Sequence, residues 1–80
     1  MRGMTPADLA IIGEALYGPR WRMPLASALE VNERTVRRWC AGTSPVPRGA
    51  AAELQALLER AEQKLAAAKA TLAAAADFPA

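Results

Sequence analysis

The sequence predicts an all-α fold: a compact helical bundle followed by one long C-terminal helix. Three observations lead there. Apolar residues recur three and four positions apart, as on one face of a helix, and nowhere alternate as along a strand. Capping residues, glycine and proline divide the first 47 residues into short segments. From Pro47 to about Ala76 the residues are almost entirely Ala, Leu, Glu, Gln, Lys and Arg, with one Thr, nearly all strong helix formers.

Thr5-Pro6-Ala7-Asp8 is a helix start: threonine can cap, proline fits the first helical position, and an acid follows in the first turn. Leu9, Ile12 and Leu16 then form one apolar face, and Gly18-Pro19 stops the helix, so the first helix is placed at about 6–17. Pro24 is tolerated in a first turn, which places the second helix from near Trp21 to about Leu29. Glu30-Val31 is a tight connection. Asn32 is a good N-cap for a third helix from about Glu33 to Ala41, and Gly42 is its stop. After the loop Thr43-Ser44-Pro45-Val46-Pro47, Pro47 suits the opening of the long fourth helix. Asp77 to Ala80 are expected to fray.

Eighty residues make one domain with a small core, for which dimerisation is a natural remedy. Hydrophobic residues are 52% of the chain, but alanine carries much of that, and the aromatic residues are only Tyr17, Trp21, Trp39 and Phe78. The net charge of +2 is unevenly spread. Residues 1–19 carry −1, residues 20–48 carry +4, and residues 49–80 carry −1. All cations of the middle block are arginine, the residue suited to bidentate phosphate and guanine contacts. The single cysteine, Cys40, allows no internal disulfide and reads as a small core residue in a cytosolic protein. With no histidine and no cysteine cluster, a metal site is not expected, and neither is a cofactor. No apolar run reaches the ~18 residues of a membrane span, and no signal-peptide pattern is expected at the start.

The charge concentrates in Val31-Asn32-Glu33-Arg34-Thr35-Val36-Arg37-Arg38-Trp39. On a helix, Arg34, Arg37, Arg38 and Ala41 share one face, and Val36, Trp39 and Cys40 the opposite one. Like charges at i, i+3 and i+4 destabilise a helix by roughly 0.2–0.5 kcal/mol per pair, a cost that a polyanion would relieve. A charged face is also commonly just a solvated one. Glu33 has an alternative role in favouring the helix N-terminus, Arg20 and Arg22 in solubilising a loop, and Trp39 reads as core rather than as a base-stacking platform.

Two short helices with a tight turn match a helix-turn-helix. Through Leu25, Ala26, Leu29, Val31, Val36 and Trp39, and through Trp39-x-x-Gly42 with a short proline loop, the chain resembles helix-turn-helix regulators of the lambda-repressor/Cro type over about residues 9–58. Among these it is most similar to very small phage-type repressors, including anti-CRISPR-associated regulators, which are dimeric autorepressors of their own operon. The family often has glycine in the turn, where φ is positive; this chain has Glu30, at a cost of roughly 1–2 kcal/mol. The resemblance implies that the third helix enters the major groove of double-stranded DNA. Asn32, Glu33, Arg34 and Arg37 would then face base edges, arginine reading guanine and glutamate accepting from cytosine N4. Thr35 and Arg38 would lie nearer the backbone, with Arg20, Arg22, Thr43, Ser44 and Arg48 as further phosphate candidates. Residues 1–58 would be the DNA-binding domain, acting on the nucleoid of a bacterial or phage-infected cytosol.

Residues 59–80 extend the long helix. Leu54, Leu58, Ala61, Leu65, Ala68, Leu72 and Ala75 step by alternating fours and threes, a coiled-coil seam with Leu at one core position and mostly Ala at the other. A helix of about 30 residues spans roughly 45 Å, more than this domain can cover. Its first two turns are expected to pack on the other helices, and Leu58, Ala61, Leu65, Ala68 and Leu72 to form a homodimer; a solvated single helix is the plain alternative. In a parallel pair Lys64 would face the partner's Lys69, while an antiparallel pair could set Glu62 near it, which favours antiparallel packing. Such a dimer would present two recognition helices about 34 Å apart to a palindromic operator.

Other functions compete. An enzyme lacks support: there is no histidine, metal cluster or glycine-rich phosphate loop. A helical interaction protein, such as an antitoxin or adaptor, would use the long helix as its main surface. A DNA-binding component of a phage packaging or recombination machine would share the helix-turn-helix without regulating a promoter. No small-molecule ligand is expected.

Overall fold

The computed structural model describes residues 3–76, and these form four α-helices: α1 Pro6–Tyr17, α2 Arg22–Ala28, α3 Glu33–Ala41 and α4 Arg48–Ala76. There is no strand among the described residues. The expected fraying segment, Asp77 to Ala80, lies outside them.

Local chemistry sets each boundary. Thr5 caps α1 through a reciprocal box: the Asp8 amide donates to Thr5 Oγ1 at 3.1 Å, and the Thr5 amide donates to Asp8 Oδ2 at 3.0 Å. Gly18, at φ +80, ends it, its amide donating to the Glu14 carbonyl at 2.8 Å. α2 is one residue shorter at each end than expected. Trp21 and Leu29 are its caps, both with right-handed helical dihedrals.

α2 and α3 end in the same way. At the end of α2 the Glu30 amide donates to the Ser27 carbonyl and the Val31 amide to the Ala26 carbonyl, with Glu30 left-handed at φ +57. At the end of α3 the Gly42 amide donates to Trp39 and the Thr43 amide to Arg38, with Gly42 at φ +76. Both are Schellman closures, which satisfy the last helical carbonyls through one left-handed residue. The expected positive φ in the α2–α3 turn is present, and it falls on glutamate.

The core joins all four helices. Leu9 of α1, Leu25, Ala26 and Leu29 of α2 and its cap, Val36 and Trp39 of α3, and Leu54 of α4 are buried together with Trp21. Val31 and Cys40 pack on it half-buried. Gly13 shows why α1 carries a glycine in its interior. A Cβ there would overlap the Trp21 ring, which is 1% exposed. The bare backbone of α1 is the floor on which Trp21 lies, and the approach outweighs the roughly 1 kcal/mol that glycine costs a helix.

α4 runs 29 residues, about 44 Å, and packs along α1. Contact with the bundle continues beyond the first two turns that the sequence suggested, since Leu57 packs on the core and half-buried Ala61 shares a groove with Leu16 and Tyr17. Residues 62–76 are exposed at every position. The radius of gyration, 16.0 Å, exceeds the roughly 12 Å of a globular chain this long because of that projection.

Candidate nucleic-acid interface

α3 is amphipathic in the way its spacing requires. Val36 and Trp39 are buried, while Arg34, Arg37, Arg38 and Ala41 are exposed. Two residues form its tip. Asn32 Oδ1 accepts from the Arg34 amide at 2.9 Å, so the side-chain carbonyl caps the helix and leaves the amide NH2 to face outward. Glu33, half-buried, accepts from Arg37 Nη2 at 3.2 Å, an i,i+4 ion pair. The pair relieves part of the repulsion among the three arginines. With Arg37 68% exposed, its own contribution to stability is small, about 0.3–0.5 kcal/mol.

The cluster extends beyond α3. Pro19, Arg20, Arg22 and Met23, from the α1–α2 connection and the first turn of α2, line one open groove with Glu33 and Arg37. Arg20 and Arg22 thus meet Glu33 and Arg37 of α3 across the fold. The Arg22 guanidinium lies 4.9 Å from the centroid of the Trp21 ring, a cation–π contact that orients it over the buried indole. Met23, 68% exposed among these cations, was not singled out from the sequence. The available signal was an apolar residue at the edge of the α2 face that carries Leu25, Ala26 and Leu29.

The remaining candidates lie in the first turn of α3 and beyond its C-terminal end. Thr35 is half-buried on the helix. Thr43 Oγ1 donates to the Arg38 carbonyl at 3.2 Å, and the Ser44 amide reaches the same carbonyl at 3.4 Å. Thr43 is exposed, so its hydroxyl supports the closure of α3 from the surface. Arg48, exposed, opens α4 across the loop.

No cluster of three or more His, Cys, Asp or Glu residues able to hold a metal ion occurs among the described residues. None of the helices described is long and apolar enough to cross a membrane. Compared with protein-family models, with curated proteins and with solved structures, the chain matches none.

Proposed function

We propose that the chain is a sequence-specific double-stranded DNA-binding protein of the helix-turn-helix type, acting as a homodimeric transcriptional repressor on a palindromic operator in the cytoplasm. The observation that carries this reading is the exposed arginine face of α3, Arg34, Arg37 and Arg38, held above a buried Val36–Trp39 back by a tight α2–α3 turn. α3 enters the major groove, where its width admits a helix. Arg34 and Arg37 read guanine O6 and N7, the Asn32 amide donates to a base acceptor, and Glu33 accepts from cytosine N4. Arg20, Arg22, Arg38 and Arg48 hold flanking phosphates, which fix position rather than sequence. A dimer making about eight such contacts loses roughly 10⁴-fold in affinity between 50 and 200 mM salt. Repression follows from occupying a promoter that polymerase needs.

Selection of bound duplexes from a random pool at about 150 mM salt, near physiological ionic strength, tests this. The expected outcome is an enriched palindrome with half-sites about one helical turn apart. Folded protein that enriches no sequence overturns it. A helical interaction module is the second reading, favoured by Leu65 and Leu72, which are 65% and 68% exposed on α4. In that case Arg34→Ala and Arg37→Ala would leave function intact.

A further inference from the structure

α4 carries its seam out of the bundle uncovered. Leu54 is spent in the core and Leu58 and Ala61 are half-buried, but Leu65, Ala68, Leu72 and Ala75 face solvent. Residues 62–76 extend about 22 Å beyond the last supported turn. We propose that this face binds α4 of a second copy in antiparallel orientation. In the register we assign, Leu65 of each chain meets the partner's Ala68, and Leu72 meets the partner's Ala61. The proposal rests on the homodimer of the reading above and adds its geometry.

Three observations select this arrangement. The first is volume. Leu and Ala alternate along the seam, so an antiparallel pair opposes large to small in every layer. A parallel pair stacks Leu on Leu and Ala on Ala, leaving alternate layers crowded and empty, against the uniform density that helix contacts seek.

The second is charge. In this register Glu62 lies within about 3 Å, along the axis, of the partner's Lys69 on one flank, and the contact occurs twice by symmetry. The other flank sets Lys64 beside the partner's Thr71. A parallel pair would instead set Lys64 against the partner's Lys69 on both sides. Among the described residues, neither Glu62 nor Lys69 has an ion-pair partner within its own chain.

The third is room. Where α4 leaves the bundle, an open groove runs between its Leu57, Arg60, Ala61 and Lys64 and the side chains of Leu16, Tyr17 and Ala28. The partner's Leu72 reaches the seam at Ala61, beside this groove. The overlap runs from about Leu57 to Ala76, roughly 30 Å of paired helix.

Sedimentation of the full chain across a concentration series, at about 50 mM salt to limit screening, tests the orientation. Wild type, Glu62→Lys, Lys69→Glu and the double reversal are compared, with helix content checked by circular dichroism. Each single reversal removes two attractions and creates two repulsions, so each should weaken the dimer by about tenfold, and the double reversal should restore it to within about threefold. A tighter dimer with Lys69→Glu would show parallel packing, with Lys64 as the neighbour of residue 69, and would overturn the proposal. So would four equal dissociation constants, or a wild type that stays monomeric. The duplex selection reports separately on DNA. A parallel dimer that enriches a palindrome sinks this geometry and leaves the DNA reading standing; an antiparallel dimer that enriches none does the reverse.

Discussion

Glu30→Gly should stabilise the protein, and the molecule contains its own reference. Glu30 and Gly42 occupy the same position in two successive Schellman closures, at φ +57 and +76. A residue with a Cβ costs roughly 1–2 kcal/mol in that region. Glycine there loses more unfolded-chain entropy, roughly 0.5–1 kcal/mol relative to alanine. The difference leaves a gain of about 0.5–1 kcal/mol, which in a domain of this size raises Tm by about 2–8 °C. The Glu30 side chain is exposed and makes no hydrogen bond or ion pair among the described residues, so nothing offsets its removal. Its charge at the end of α2 opposes the helix dipole, and Glu30→Ala isolates that effect because alanine keeps the Cβ. The φ contribution is then the difference between the glycine and alanine variants. Gly42→Ala should show the mirror image, a loss of similar size; its new Cβ would meet only Pro6 Cγ, at 3.9 Å, so crowding does not explain it. The assay is thermal unfolding by far-UV circular dichroism, with protein concentration held fixed because a dimer makes Tm concentration-dependent. A Glu30→Gly variant that melts no higher than Glu30→Ala would refute the reasoning.

Four further outcomes follow from the packing, the arginine face and the exposed seam of α4. Gly13→Ala should destabilise by about 1–2 kcal/mol, because overpacking against Trp21 outweighs the helix propensity gained; unchanged or higher stability by tryptophan fluorescence would show that the ring can move. On a selected operator, Arg34→Ala and Arg37→Ala should each cost about 1–3 kcal/mol per half-site and relax preference at one base pair in each. Arg22→Ala should instead weaken all sequences alike and, because the dimer loses two phosphate contacts, lower the salt slope by about two, which titrations at several salt concentrations separate. Replacing Leu65 and Leu72 by Glu should give a folded monomer by light scattering, and a persistent dimer would place the interface elsewhere.

Most of the architecture was legible because local signals agree with one another. α1 and α3 begin and end where Thr5, Pro6, Gly18, Asn32 and Gly42 place them, and the four-helix order follows. The α3 arginines face outward because Val36 and Trp39, two and five residues after Arg34, are drawn into the core. What was not legible depends on contacts distant in sequence. Nothing near Gly13 announces that Trp21 will lie on it. The groove uniting Arg20, Arg22 and Met23 with Glu33 and Arg37 requires knowing how the α1–α2 connection passes α3. The hydrogen bond by which the Thr43 hydroxyl supports the end of α3 depends on how the loop turns back there. The extent of α4 packing was underestimated because Leu58 and Ala61 suit an intramolecular face and an intermolecular seam equally well.

Two departures from local rules lie beside α3. Glu30 holds a left-handed turn that glycine would hold at less cost, and Arg34, Arg37 and Arg38 crowd like charges on a helix face. Neither is forced by the core: Glu30 is exposed, and the arginine side opposes the buried one. The interior glycine of α1, Gly13, differs in that Trp21 packs on it, while α1 keeps its capping box and α3 its glycine closure. Departures from local consistency that bring the folded state no benefit are expected to cluster where a surface serves another purpose. The Glu33–Arg37 pair fits that view, since it offsets part of the repulsion in the free protein while leaving both groups on the surface, within reach of a polyanion that would take over the arginine.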